Sequence, residues 1–502
     1  MLEVRARQMM GYGREAAMLG RIVIAALGAL VLGLVALVAA SLAPPHGLRP
    51  PATRPAAILI EPVRLVTMDP DAPESEPDRA ILVVGGEIAA VGQAGELTVP
   101  ASLLAGDVLR IDGQGRTLLP GLIDAHIHLW DEAELAGYLA HGVTGVRNMS
   151  GMPFHLPLAR RIESGRLLGP SLITTGPILN SPGPNQQDNH MLVTTSEEAR
   201  AAVRRQHDQG YRALKVYSNL ERDAYLAVLD EAAQLGMTVS GHTPEGFRGE
   251  GIPYDQPFEI RFEDVLDDGF LTIEHTESIV WHGLRDRLDA EAMVLLAEEM
   301  ASHSVTVTPT LIAHDNLIRV AQSEGAYLSR EGTGTLNPLI SRLESGVYDF
   351  WSGVDPEPRE VPRAAFYRDA TRQMHEAGIV LLAGSDAGIF TNLPGRSLTR
   401  ELELLVEAGL SPHDALRTAT INPAQALGWT DRGRIAPGQR ADLILVDGDP
   451  LTEISAVEFP AGVMVGGIWL DRTRLNALER AATHTSIPRT GRRVAASLMA
   501  QN

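Results

Sequence analysis

The 502-residue chain contains no cysteine, and this absence removes several classes of protein and site at once. A disulfide scaffold, a thiolate zinc site, an iron–sulfur cluster, a cysteine nucleophile and a lipid-bearing cysteine are all excluded. Positive charge is also scarce, with 43 Lys and Arg against 63 Asp and Glu and a net charge of −20. An acidic chain is not attracted to a phosphate backbone, so no nucleic-acid partner is expected. Any metal must therefore be held by His, Asp, Glu or a modified side chain.

Several catalytic motifs are missing as well. The chain has no phosphate-binding loop, no nucleophile-elbow serine and no zincin helix motif. Its hydrophobic fraction of 44% and charged fraction of 21% are those of a globular protein. The length is sufficient for two or three domains rather than one.

Long hydrophobic runs are limited to residues 22–43, which carry no charge and follow Arg5, Arg7, Arg14 and Arg21. About 20 apolar residues can span a bilayer, and a basic flank stays in the cytoplasm. The sequence therefore predicts a membrane anchor with everything after it outside the cytoplasm. The alternative is a signal segment cleaved near Ala43, which would release the protein into the periplasm or the medium. No second such run occurs, so a polytopic protein is excluded.

The rest of the chain divides by composition. A basic segment at residues 1–21 precedes the anchor, and residues 44–55, with five prolines, read as a semi-rigid linker. Short β runs at 56–117 and again at 432–475 predict one small β-sandwich built from both ends of the chain. Residues 118–431 form the long middle part, and 476–502 are left as a C-terminal tail.

The middle part alternates short apolar runs with longer helical patterns, and eight such runs can be counted. They lie at residues 121–128, 142–148, 171–176, 213–217, 237–242, 271–275, 305–309 and 379–385. Most are spaced by roughly 20–40 residues, near the spacing of strand–helix units in an eightfold barrel. The sequence thus predicts an α/β fold with a TIM-like (β/α)8 barrel, interrupted by an excursion around residues 317–360.

Several of these runs end in a residue that can bind metal. The first ends in His126 and His128, which alternate along a strand and therefore face the same side. The fifth and sixth runs end in His242 and His275, and Asp386 follows the eighth. The carboxyl ends of barrel strands converge on the active site, so four histidines and one aspartate predict a divalent-metal site there.

Lys215 lies on the fourth run between two residues, Leu214 and Val216, that would face the helices. Its side chain is therefore predicted to point into the barrel. A lone ammonium beside metal ions would be costly, so this lysine must be paired, neutral or converted to an anion.

At this point the sequence resembles the amidohydrolase superfamily, most closely its imidazolonepropionase-related and prolidase-like branch. The resemblance begins with LPGLIDAHIH at 119–128 and continues through LKVY at 214–217, GHTP at 241–244 and IEH at 273–275. It goes on through TVTPTL at 306–311 and LAGSD at 382–386 to NPA at 422–424 and GQRAD at 438–442. Order and spacing agree over about residues 56–470, which is most of the chain.

The resemblance implies two divalent ions, or one at an unmodified site as in some members, held on a barrel with an appended β-sandwich; zinc is expected first, with iron or manganese as alternatives. His126, His128 and Asp386 resemble the ligands of the more buried ion, and His242 and His275 those of the more exposed one. A carbamate formed on Lys215 by CO₂ would join the two ions. The implied reaction is hydrolysis of a C–N bond in an amide, cyclic amide or dipeptide by metal-activated water, with Asp386 moving the proton.

Three further residues are candidates for substrate binding. Tyr217 lies two residues beyond Lys215 on the same face and could contact a carbonyl or an oxyanion. His190, in a polar loop that lacks the Gly-Gly-His of relatives, and Arg147, on the second run, are candidates for an anionic group.

Two other functions remain open at this stage. A mononuclear deaminase of the same superfamily would usually lack the fourth-strand lysine, so Lys215 argues against it. A non-catalytic binding protein on the same barrel would not need every expected ligand. The predicted partners are a small amide or dipeptide, the membrane through residues 22–43 and, on exposed faces of the fold, a further copy of the chain.

Overall fold

The computed structural model describes Met18 and residues 24–45, 47–100, 103, 105–247 and 257–501. The predicted basic segment, 1–21, lies outside these residues except for Met18. Within the described part, one helix, Ile24–Leu42, is long and apolar enough to cross a membrane, a property that signal sequences share. The predicted linker packs on the body: Leu48 is buried, and its carbonyl accepts a hydrogen bond from the Leu168 amide.

The strands are, in chain order, β1 Ala57–Leu65, β2 Glu76–Val84, β3 Glu87–Gln93, β4 Val108–Asp112, β5 Thr117–Pro120, β6 Leu122–Ile127, β7 Val143–Asn148, β8 Ser171–Thr174, β9 Leu179–Asn180, β10 Met191–Leu192, β11 Ala213–Val216, β12 Thr238–Gly241, β13 Thr272–Glu274, β14 Thr306–Thr308, β15 Val380–Leu381, β16 Leu443–Val446, β17 Gly462–Val465 and β18 Ile468–Asp471.

The helices are α1 Ile24–Leu42, α2 Glu134–Ala140, α3 His155–Glu163, α4 Ser196–Gln209, α5 Arg222–Leu235, α6 Phe262–Val265, α7 Thr276–Leu284, α8 Ala290–Ser302, α9 Leu311–Gln322, α10 Pro338–Leu343, α11 Ser345–Ser352, α12 Glu360–Glu376, α13 Arg396–Ala408, α14 Pro412–Thr418, α15 Ile421–Ala426, α16 Arg472–Ala482 and α17 Ile487–Gln501.

One eight-stranded sheet joins the two ends of the chain, in the order β18-β17-β16-β5-β1-β2-β3 with β4 on β1. The long strand β1 pairs in parallel with β4 through its first half and with β5 through its second. Its alternate residues therefore enter two different apolar clusters, Ile58 and Ile60 in one, Ala57 and Leu59 in the other. This sheet is the expected product of short β runs at both chain ends.

The middle of the chain forms parallel strands, and each of the eight predicted runs contains one. β6-β7-β8 make one sheet and β10-β9-β11-β12-β13-β14-β15 the other. Backbone hydrogen bonds link the two sheets, from Ala125 to Ala383 on one side and from Gly176 to Ala213 on the other. Parallel strands covered on both faces are buried along their whole length. This is true of β6 and β7, in which every residue is buried.

Helices connect these strands and cover the sheets. Helix α4 shows the local rules: Thr195 caps its first turn in a reciprocal capping box with Glu198, and Gly210 ends it in the left-handed conformation. The largest apolar cluster packs helix residues such as Leu135, Met293 and Leu402 against strand residues such as Ile127 and Val307. The predicted C-terminal tail contains α17 and the end of α16.

Candidate active site

The centre of the site lies where β6 and β15 end. His126 lies at the carboxyl end of β6, and His128 comes directly after the strand. Asp386 lies five residues beyond β15 with a left-handed φ of 50°. Asp386 Oδ1 is 3.0 Å from His128 Nε2 and 3.4 Å from His126 Nε2. All three side chains are buried, and their donor atoms lie within 4.8 Å of one another. Half of the six predicted metal ligands thus converge on one point.

The other two histidines stand beside this group. The His275 ring is 4.7 Å from the His126 ring and 4.5 Å from the His242 ring, between centroids. His242 Nδ1 is 3.0 Å from Ser278 Oγ, and His275 Nδ1 is 2.5 Å from Thr310 Oγ1. Because the Nδ1 atoms are engaged by hydroxyl groups, the Nε2 atoms are left for a ligand, the usual arrangement around protein metal sites.

Lys215, on β11, is the only lysine in the chain. Its side chain is buried, and its Nζ lies 3.2 Å from His126 Nε2. Burial lowers its pKa to about 8, although the charges of Asp386 and Glu274 act in the opposite direction. The amine is therefore more easily neutral than that of an exposed lysine.

Burial opposes ionisation throughout the centre. It lowers the pKa values of His126, His128, His242 and His275 below the usual histidine value. Burial would also raise the pKa of Asp386, but its contact with His128 and the neighbouring His126 and His275 imidazoles more than offset it, so that this pKa is depressed. An ionised carboxylate among neutral imidazoles is a donor set suited to a divalent cation.

A buried pair below this centre positions His126. Glu274 Oε2 lies 2.6 Å from His126 Nδ1, and Glu274 Oε1 accepts a hydrogen bond of 2.8 Å from Arg147. A carboxylate on the second ring nitrogen fixes the tautomer and orientation of a metal-binding histidine. Sequence analysis gave Glu274 no role, although a charged residue inside a buried strand was the available signal.

Arg147 does not line the cavity above the centre, contrary to its predicted contact with an anionic substrate. Its guanidinium is buried and donates to the Ala125 carbonyl at 2.6 Å, to Thr272 Oγ1 at 2.8 Å and to Glu274. These acceptors lie on two strands of the interior, β6 and β13. These contacts favour a positioning role for Arg147 over the predicted contact with substrate.

A cavity of about 690 Å³ opens above the centre and is lined by His128, Lys215, His242, His275 and Asp386. Tyr217 and His190 also line it: the Tyr217 ring is 4.0 Å from the His242 ring and 4.7 Å from the His190 ring. Burial lowers the pKa of His190 to about 3, and its Nε2 makes no hydrogen bond to the described residues. Both predicted substrate residues are thus within reach of a bound molecule.

Sequence analysis also did not single out a buried carboxylate that lines the cavity. Glu277 lies in the first turn of α7, two residues after His275, and burial raises its pKa. The only sign of Glu277 in the sequence was its place two residues after His275, a predicted ligand.

Residues 117–470 match the amidohydrolase family. The chain belongs to this family. The imidazolonepropionase of Salinispora tropica is 25% identical over 405 residues, which cover 74% of this chain and 86% of that protein. This amidohydrolase is therefore a hydrolase acting on carbon–nitrogen bonds, which confirms the enzyme class predicted from the sequence.

Two solved structures share the fold of this amidohydrolase. A bottromycin amidohydrolase superposes with a TM-score of 0.66 at 24% identity, covering 87% of this chain and 92% of the other. A Xaa-Pro dipeptidase, solved with methionine in its active site, gives 0.61 at 21% identity, with coverages of 83% and 100%. At these identities the likeness shows the fold alone.

Proposed function

We propose that this amidohydrolase is metal-dependent and hydrolyses an amide, cyclic amide or dipeptide bond at the centre formed by His126, His128 and Asp386. The observation that carries the proposal is the convergence of their donor atoms beside a cavity. The names of the relatives, an imidazolonepropionase and a Xaa-Pro dipeptidase, favour small amides and dipeptides.

We further propose that the two parallel sheets close into one eightfold barrel, because hydrogen bonds join them on two sides.

The donor set fits divalent metal. Asp386 Oδ1 is buried and makes no well-aligned hydrogen bond, although two imidazole nitrogens approach it. His126, His128 and Asp386 would hold one ion and His242 and His275 a second, with zinc, iron or manganese suited to such ligands. Bound metal would lower the pKa of water and polarise the carbonyl of the substrate.

The residues of the chain divide the remaining work. Asp386 accepts a proton from the attacking water and passes it to the nitrogen that leaves, so that one C–O bond forms as the C–N bond breaks. The Tyr217 phenol donates a hydrogen bond to the oxygen of the carbonyl under attack. His190 offers its open Nε2 to a carboxylate of the substrate.

Lys215 is proposed to carry a carbamate. The ammonium first loses one proton, and the neutral amine then adds CO₂ and loses a second, so that a buried cation becomes an anion with two oxygen ligands. The burial of Lys215 and its 3.2 Å contact with His126 support this change, because burial disfavours the ammonium and the contact places its nitrogen beside a proposed metal ligand.

We also propose that α1 anchors the enzyme in the membrane, with residues 44–502 outside the cytoplasm. Its mean hydropathy of 2.5 over an 18-residue window supports this reading, and cleavage near Ala43 is the alternative. Mass spectrometry of the mature chain decides between them, because a cleaved protein begins near residue 44.

The test of the catalytic proposal uses the full-length protein in mild detergent and bicarbonate, purified without chelators. Metal content per chain is measured together with hydrolysis of dipeptides, N-acyl amino acids and cyclic amides. Two ions per chain and turnover of one of these classes are expected. One ion with release of ammonia would favour the deaminase, and folded protein that takes up no metal would contradict the enzyme mechanism.

The carbamate has a direct test because the chain offers one lysine. Protein equilibrated with ¹³C-labelled CO₂ is expected to give a carbamate carbon signal that is absent from the Lys215→Arg variant. A carbamate at the N-terminal amine would remain in that variant and is thereby distinguished. Equal spectra for the two proteins would refute the modification.

A further inference from the structure

One side of the catalytic cavity is lined by apolar side chains from two parts of the chain outside the parallel sheets. The excursion at 317–360 contributes Ile340, Leu343 and Val347, and the C-terminal helix α17 contributes Val494 and Leu498. We call these five residues the apolar wall. Ile340 and Val494 belong to one apolar cluster with Trp130, so the two halves of the wall pack together.

Ion pairs hold α17 against the loop that follows the metal-binding end of β6. Arg489 is 2.8 Å from Asp131, and Arg493 is 2.8 Å from Glu132. The Arg493 guanidinium also stacks on the Phe154 ring at 4.1 Å. The wall is therefore fixed relative to the catalytic centre and is not a loosely attached terminus.

Helix α17 also contacts the end of α1 and the residue that follows it. Arg489 donates a hydrogen bond of 3.0 Å to the Ala43 carbonyl, and Arg492 donates one of 3.3 Å to the Ser41 carbonyl. The wall of the cavity and the end of the apolar helix thus share one element. If α1 lies in a bilayer, α17 and the wall residues that it carries lie close to the membrane surface.

The outer part of the wall is exposed and continues as apolar surface. Leu343 is 68% exposed, and beyond the wall Phe350 and Met499 are 66% and 73% exposed. Exposure of apolar side chains to water is unfavourable, and their contact with hydrocarbon lowers the free energy. Phe350 lies on α11 with Val347, and Met499 lies on α17 with Leu498, so each of these helices carries exposed apolar side chains besides those of the wall.

We propose that the apolar wall binds the hydrocarbon chain of an amphiphilic amide, and that the enzyme draws this substrate from the membrane that holds α1. The proposal rests on the function proposed above, since the scissile C–N bond would lie at the metal centre. It adds the substrate class: an amide with a long apolar chain.

Photo-crosslinking tests the chain-binding site without requiring turnover. Full-length protein in phosphatidylcholine vesicles is irradiated with a palmitamide that carries a diazirine in its chain, and crosslinked peptides are mapped by mass spectrometry. Crosslinks to Val347, Val494 and Leu498 are expected in addition to those on α1. Crosslinks confined to α1 would overturn the proposal.

A matched pair of variants controls for general effects of a new surface charge. Leu343→Asp is expected to lower crosslinking to Leu498 about tenfold, the factor for losing the burial of two methylene groups. Leu295→Asp alters an equally exposed leucine, 66%, on α8 outside the cavity and is expected to change nothing. Equal losses in both variants, or none in either, would refute a specific wall.

Hydrolysis tests the supply from the membrane. N-palmitoyl amino acid in the same vesicles as the enzyme is expected to be cleaved at least about tenfold faster than the same amount in separate vesicles, because a long chain leaves a bilayer slowly. Equal rates would refute supply from the bilayer. N-acetyl amino acid serves as the soluble control. If it is cleaved as fast as the N-palmitoyl compound in either arrangement of vesicles, this inference alone is refuted. If no C–N bond is hydrolysed at all, the catalytic proposal is refuted and the crosslinking result still stands.

Discussion

Replacing Arg147 by methionine tests the interior beneath the metal centre. The substitution keeps most of the side-chain volume and removes the guanidinium. In the structure this group neutralises Glu274, satisfies the Ala125 carbonyl and contacts Thr272. After the change, a fully buried carboxylate keeps His126 Nδ1 and the Thr272 hydroxyl as partners but has no counter-charge.

The magnitude follows from the burial of both partners. Removing one member of a buried ion pair costs about 3–5 kcal/mol, because the remaining charge is neither solvated nor compensated. Glu274 also orients His126, and losing such support around a metal ligand lowers metal affinity about 10–100-fold. We therefore expect Arg147→Met to lose unfolding free energy and metal affinity together, with Arg147→Lys between it and the wild type because lysine lacks the planar fork.

The assay is urea unfolding of the full-length protein in detergent, followed by a metal titration of the chelator-treated protein. Arg110→Met serves as control, because this arginine is exposed on β4 and its loss is expected to change the unfolding free energy by less than about 0.5 kcal/mol. A variant at position 147 with wild-type stability and metal affinity, but a raised KM for anionic substrates, would refute the positioning role.

Three further predictions follow from individual side chains. Asp386→Asn is expected to keep much of the bound metal and lower kcat at least about a hundredfold, since an amide cannot take up the proton; near-normal kcat would remove Asp386 from proton transfer. Lys215→Arg is expected to lose metal and activity together, and unchanged metal content would contradict the bridging carbamate. Burial lowers the pKa of His155 to about 3, so its contribution to stability is present above pH 6.5 and lost as the pH falls toward 3, by up to about 1.4 kcal/mol per unit. His155→Gln is therefore expected to flatten the fall of unfolding free energy between pH 6.5 and 4, and parallel curves would count against this assignment.

The clustering of the proposed metal ligands was predictable, because two simple rules of strand geometry place these residues together. Side chains alternate along a strand, so His126 and His128 share a face, and the carboxyl ends of parallel strands meet at one edge of a sheet. His242, His275 and Asp386 each follow a short apolar run, and the structure brings them beside the first pair. Neither rule needs any knowledge of how the helices pack.

The partners of these ligands were not predictable in the same way. Glu274 reaches His126 across 148 residues of sequence, and Arg489 reaches Asp131 across 358. A charged residue in a strand, or an arginine in a terminal segment, has the same local pattern whether it is buried and paired or exposed. For this reason Arg147 was expected at the substrate, and α17, which lines the cavity, was left as a tail.

The composition of the chain adds an argument about Lys215 that no spacing rule contains. Lys215 is the one lysine among the 43 Lys and Arg residues of the chain, and all the others are arginine. Arg147 shows that arginine also fills the role of a buried cation near the proposed metal ligands, since only Glu274 separates it from His126. A merely structural cation at position 215 would therefore be expected to be arginine as well. A guanidinium stays protonated and cannot add CO₂, whereas a buried amine with a lowered pKa can. The single lysine stands at the position where the proposed chemistry requires a primary amine, which is why the ¹³CO₂ experiment bears on function and not only on a modification.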